Sequence, residues 1–222
     1  MHCIAKTEYR YEKLTWPEIN EAVEQEQICV VPVGAIEQHG HHLPLDMDVL
    51  APTKIPWSVG RTMPDKMLVL PTVSYGYTAH VMDFPGTINT HYETFIKQVL
   101  DITRSLAYHG FKKIILLNGH GSNMPNLDLA ARRTNLETDA ECILVAWWHL
   151  LTVDPEFLPS WRESVYPGGF SHACELETRR RRDYRARRLG RRRQSQIPRR
   201  LARPETVLAV RPRPELEHFP TN

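Results

Sequence analysis

Ile28-Cys29-Val30-Val31-Pro32-Val33-Gly34-Ala35-Ile36-Glu37-Gln38-His39-Gly40-His41-His42-Leu43-Pro44-Leu45-Asp46-Met47-Asp48 joins two kinds of sequence without a break. The first part, residues 28–33, is a continuous apolar run dominated by β-branched side chains. That is the pattern of a strand buried on both faces. The last twelve residues hold Glu37, three histidines (His39, His41, His42) and two aspartates (Asp46, Asp48). A buried strand that empties into imidazoles and carboxylates is suited to holding a metal. Hard oxygens mixed with borderline nitrogens favour Zn, Mn or Fe(II) over Ca or Cu(I).

Working outward, the same rhythm recurs. Thr15-Trp16-Pro17-Glu18 has the spacing of a helix start, with Thr15 as cap and Glu18 three residues on. Residues 49–63 predict a helix kinked or shortened at Pro56. Residues 67–73 predict a strand, and residues 74–85 a loop. Thr90 and Glu93 form a capping-box pattern at the head of a helix over 90–109, closed by Gly110. Ile114-Ile115-Leu116-Leu117 predicts a short buried strand. It is followed by the glycine turn Asn118-Gly119-His120-Gly121-Ser122-Asn123, a helix from Pro125 to the region of Asp139, and a strand over 142–148. Strands alternating with helices predict an α/β fold with a mostly parallel sheet. Ligands in such sheets bind at the carboxyl ends of the strands, where both His-bearing turns fall.

Composition narrows the class. The 222 residues fit one domain plus a tail, and no apolar run approaches the roughly 18 residues of a membrane span. No basic-then-apolar leader pattern opens the chain. Four widely spaced cysteines (Cys3, Cys29, Cys142, Cys174) form no CxxC pair, which points to a reduced, cytoplasmic protein. The net charge of +2 conceals a split. Residues 1–178 carry 13 Lys+Arg against 22 Asp+Glu, whereas residues 179–222 carry 15 Arg against 4 acids.

Three clusters stand out as candidate chemistry. Glu37 and His39, one residue apart, point to one side of an extended segment. Asp48 is placed to bridge two cations. His120 lies between two glycines that let the backbone turn sharply. A third cluster around residues 168–178 adds His172, Glu175 and Glu177. A lone histidine after a strand is usually a satisfied polar group, but three such clusters together suit a two-metal site. Of His41 and His42, one is expected in the cleft and the other in solvent. Asp46 is expected to face solvent or to support a ligand. His80 lies in a loop placed to cover the cleft. His2, His91, His109, His149 and His218 have no partner cluster. Of Trp147 and Trp148, one is expected in the core and the other as a wall of the substrate pocket.

These pieces resemble the creatininase (creatinine amidohydrolase) family. The matching stretches are 32–48, 118–123 and His172-Ala173-Cys174-Glu175-Leu176-Glu177-Thr178. The resemblance runs from the region of residue 10 to residue 178. It implies a three-layer α/β/α sandwich, two divalent metal ions (Zn, Mn or Fe) in a cleft at the strand ends, a small-molecule amide substrate, and a homo-oligomer, commonly a hexamer. By this resemblance Glu37 and His120 hold one ion, His39 the other, and Asp48 bridges them. Creatininase has a Glu ligand where this chain has Ser122, and Glu175 is the substitute expected. His172 matches the His implicated in catalysis, and Glu177 an acid beside it. Creatininase also has a substrate-contacting Tyr where this chain has Gly121, which argues against creatinine as substrate.

The resemblance stops abruptly. Residues 1–178 read as the metal-dependent domain. Residues 179–222 read as an atypical, disordered tail, with 13 Arg among the 25 residues from 179 to 203. Such a shift points to a reading-frame change in a GC-rich gene, with loss of the C-terminal helix of the fold. The rival is a basic arm for nucleic acid or an acidic partner. The run interleaves a single aromatic, Tyr184, and has no recognisable binding fold, which argues against nucleic acid.

Overall fold

A computed structural model of the chain describes residues 4–154 together with 156, 172, 173, 177 and 178. Its centre is a four-stranded, all-parallel sheet of β1 (Ile28–Val33), β2 (Met67–Val69), β3 (Lys113–Asn118) and β4 (Glu141–Ala146), in the order β2-β1-β3-β4. The helices are α1 (Trp16–Glu24), α2 (Met47–Thr62), α3 (Tyr92–Tyr108) and α4 (Met124–Glu137). No helix among the described residues is long and apolar enough to cross a membrane.

Alternation along the strands builds the three layers. Cys29, Val31 and Val33 of β1, with Ile114 and Leu116 of β3, face one side. There they pack with Ala22 of α1, Phe95, Val99 and Leu106 of α3, and Leu127 and Ala130 of α4. Val30 and Leu117 face the other side and pack with Val69, Ala51 of α2 and Trp147. The expected three-layer α/β/α architecture is therefore observed. Register matters most for the site. Val33 pairs with Asn118, and Asn118 with Ala146, so β1, β3 and β4 end in one row. The turns that follow leave the sheet side by side.

Four local expectations are corrected. The second strand closes at Val69 rather than at residue 73. Pro71 has no N–H to donate, and pairing resumes only where the Val73 N–H meets Pro32 O at 2.9 Å. α2 runs unbroken through Pro52 and Pro56. Both prolines lie one turn apart on its buried face, where packing overrides the usual cost of about 3 kcal/mol. α3 starts at Tyr92 without the Thr90–Glu93 box, because the Thr90 hydroxyl donates to Tyr75 O (3.4 Å) and its N–H to Gly76 O (2.9 Å). Trp147 and Trp148 open a 3₁₀ segment, Trp147–Thr152, rather than ending β4. The α1 start is as expected, with Glu18 accepting from the Thr15 N–H at 2.7 Å and from its hydroxyl at 2.8 Å. Gly110 stands past α3 at φ +102°, a conformation that favours glycine. Cys29 and Cys142 are buried free thiols, whereas Cys3 and Cys174 lie outside the described residues.

Candidate metal centre

The row of strand ends delivers the site. Glu37 and His39 follow β1, Asp48 opens α2, and His120 follows β3. All four are buried to within a few per cent of full enclosure. Gly119 is what lets the β3 turn approach α2, since a Cβ there would overlap the Asp48 carbonyl oxygen. That carbonyl is the one Pro52, four residues on, cannot engage. Asn123, fully buried, ties the segments together. Its Nδ2 donates to Gly34 O (3.0 Å), and its Oδ1 accepts from the Tyr77 N–H (2.9 Å).

Two imidazoles face three carboxylates. His120 Nδ1 is 2.8 Å from Glu37 Oε2 and 2.8 Å from Asp48 Oδ2. His39 Nε2 is 3.2 Å from Asp48 Oδ1 and 3.7 Å from Glu177 Oε1. The two oxygens of Asp48 thus address different histidines. The remaining nitrogens sit on backbone acceptors, His120 Nε2 on Tyr77 O (3.0 Å) and His39 Nδ1 on Glu37 O (3.1 Å). A neutral ring donating there carries its lone pair on the carboxylate side. Lone pairs would then meet across 2.8–3.7 Å unless a proton or a cation lies between them.

The electrostatics agree. Burial disfavours the charged form of His39, but the Asp48 and Glu177 carboxylates outweigh it and raise the pKa to about 10. His120 is likewise disfavoured by burial and raised to about 9 by Asp48 and Glu37. Burial works against the Asp48 anion, yet its two histidines hold the pKa below the ordinary value. Glu37 Oε2, His39 Nε2, Asp48 Oδ2 and Glu177 Oε2 are buried with no hydrogen-bond partner. Such orphans are costly in a folded interior. Metal–ligand bonds of about 2.0–2.2 Å give ligand–ligand edges of about 3 Å, close to the separations seen. The donor set therefore fits divalent ions. Glu37, His80 and His120 bring ligand atoms within 4.8 Å of one another, and so do His39, Asp48 and Glu177.

The structure gathers Glu37, His39, Asp48, His120, His172 and Glu177. Glu175 lies outside the described residues, as do residues 179–222. His172 Nδ1 is 3.5 Å from Glu37 Oε1, its Nε2 is 3.0 Å from Gln38 Nε2, and its ring centroid is 4.0 Å from that of His39. Asp46, His41 and His42 are exposed, and the His42 ring reaches the Thr178 hydroxyl at 3.1 Å. Above the cluster is a cavity of about 380 Å³, lined also by His80, Gly121, Ser122, Trp147 and Trp148. Trp147 belongs to the core and still reaches the cavity, and half-buried Trp148 lies beside it. His80, read from the sequence only as part of a loop placed to cover the cleft, is brought against the cluster by that loop.

Comparison with known proteins bears on the family and the fold. A family model for creatininase, described as creatinine amidohydrolase, matches residues 12–211. The chain is 34% identical over 170 residues to a creatinine amidohydrolase of Pseudomonas putida, covering 71% of this chain and 63% of that protein. It is 28% identical over 171 residues to a 3-dehydro-scyllo-inosose hydrolase of Thermotoga maritima (76% and 53%). It is 33% identical over 134 residues to a mycofactocin precursor peptide peptidase of Mycobacterium ulcerans (55% and 48%). The chain thus spans less than two thirds of the length of each of these relatives. Among solved structures, a Mn creatininase superposes with a TM-score of 0.67 at 30% identity, covering 77% of this chain and 70% of that one. A Zn-Zn type mutant creatininase gives 0.66 at 31%, with the same coverage.

Proposed function

Because the chain belongs to the creatininase family, we propose that it is a metal-dependent hydrolase, cleaving a C–N bond of a small non-peptide amide, cyclic amide or formamide with an activated water. One observation carries this reading: two buried imidazoles face three carboxylates, each of which keeps one buried oxygen with no hydrogen-bond partner. Three anionic carboxylates with two neutral imidazoles balance two divalent cations to within one charge. Glu37 and His120 would hold one ion, His39 and Glu177 the other, and Asp48 both. Glu177, expected as an acid beside His172, is thereby reassigned as a ligand.

Two divalent ions bound here supply Lewis acidity, lowering the pKa of a water and polarising a carbonyl. The protein supplies the rest. The Tyr77 and Glu37 carbonyls fix the tautomers of His120 and His39, which keeps their lone pairs on the ligand side. His172, held between Gln38 and Glu37, stands at the open edge of the site, where it can take a proton and return it to the leaving nitrogen. Trp147 and Trp148 offer flat apolar walls to a planar amide. A cavity of about 380 Å³ is near the small end of ligand pockets. A Cβ at Gly121 would meet nothing within 4 Å, so this corner of the pocket is open.

The test is metal analysis of the full chain, coupled to a hydrolysis screen over cyclic amides, formamides and short peptides. Two transition-metal ions per chain and turnover of a small amide are expected. A chain that binds no ion after loading, or that cleaves only peptides, overturns the reading.

A further inference from the structure

We infer that His80 is a third imidazole of the metal centre, an additional ligand to the ion that Glu37, Asp48 and His120 would hold. The inference rests on the two-metal reading above and adds to it. His80 lies in the loop between β2 and α3, on a short 3₁₀ turn, Ala79–Val81. The loop is fastened to the site beside it. Tyr77 accepts from His120 Nε2 and donates its N–H to Asn123, and the Thr78 hydroxyl donates to Ile88 O at 3.0 Å. These bonds place the His80 ligand atom within 4.8 Å of those of Glu37 and His120, its ring 6.0 Å from the His120 ring and nearly parallel to it.

The ring is held as the other two are. His80 Nε2 is 3.3 Å from Ser122 Oγ. When the hydroxyl accepts, Nε2 carries the hydrogen and Nδ1 the lone pair. Each histidine of the centre then has one nitrogen on an oxygen acceptor and the other available to an ion, the arrangement that orients metal-ligating imidazoles generally. Ser122 is thereby given a role, as the group that orients His80.

The consequence is asymmetry. One ion would be held by four side chains, Glu37, Asp48, His120 and His80, and the other by three, His39, Asp48 and Glu177. Four protein ligands close a site, while three leave a position for water or substrate. The less enclosed ion would lie on the side of His39, whose ring is 4.0 Å from that of His172. His80 itself is exposed, so it is the ligand that solvent can reach.

The experiment compares Zn(II) and Co(II) binding to the full-length wild type, His80→Gly and Ser122→Ala by competition with a chromophoric chelator. The Co(II) absorption spectrum is recorded in parallel. For wild type, two ions per chain are expected. In His80→Gly, one ion is expected to weaken at least ~10–100-fold while the other is unchanged, with a changed Co(II) spectrum that added imidazole restores. Ser122→Ala should weaken the same ion to a smaller extent. Two ions held with wild-type affinity by His80→Gly would sink the inference and leave the two-metal reading intact. Weakening that imidazole does not repair marks a loop effect and also overturns it. A wild type that binds no ion overturns both.

Discussion

Asp48 is the residue on which the centre turns, because its two oxygens address different imidazoles. Asp48→Asn keeps the shape and removes the charge, so both ions should be lost at micromolar metal. Hydrolysis should fall by at least ~10³-fold, read by metal analysis and initial rates. The histidines make a separate statement about pH. In metal-free protein their folded pKa values, about 10 for His39 and about 9 for His120, lie above the ordinary value of 6.5. Their stabilising charge is therefore fully present below pH 6.5 and is lost as pH rises through 9 to 10. The Tm of chelator-treated protein should drop over that window, and the drop should shrink once metal replaces the protons. A profile flat from pH 7 to 10 would contradict the pairing. At this scale the sequence pointed to most of the buried cluster, because Glu37, His39, Asp48 and His120 all sit next to buried strands. Glu177 beside His39, and His80 beside His120, depend on chain segments far apart in sequence. The residues themselves stood out in the sequence, but which partner each one meets did not.

Among the elements, the contact between the β3 turn and the head of α2 is the tightest. Gly119→Ala drives a methyl into the Asp48 carbonyl. It should cost about 1–3 kcal/mol in urea unfolding and weaken metal binding as well, since α2 must shift and carries Asp48 with it. A variant with normal stability and normal metal affinity would show that the turn has slack. The apolar runs at 28–33 and 114–117 made β1 and β3 readable, because both their faces are buried. The same rule overextended β2: residues 67–73 are apolar enough, but Pro71 interrupts the ladder. Local rules failed at α2 and at Thr90 for the opposite reason. There tertiary packing and a nearby backbone acceptor outweigh proline's cost and the capping box.

Across the whole molecule, core and site share a side chain. Trp147 packs with Val30, Val69 and Leu117 and also lines the cavity, whereas Trp148 is only half-buried. Trp147→Ala should therefore cost about 3–5 kcal/mol of stability as well as activity. Trp148→Ala should act mainly on KM, with a smaller loss in denaturant midpoint. Equal effects on both readouts would mean that the two rings do the same job. The order of the ligands along the chain has a further consequence, for synthesis. Glu37, His39, Asp48 and His120 are all made before Glu177, which comes fifty-seven residues after His120. At about 5–20 residues per second, the ribosome leaves an interval of roughly 3–11 s between them. During that time a nascent chain holds the residues for one ion but not for the second. On the two-metal reading, the ligands of the first site would therefore meet the cations around the ribosome before those of its neighbour are complete.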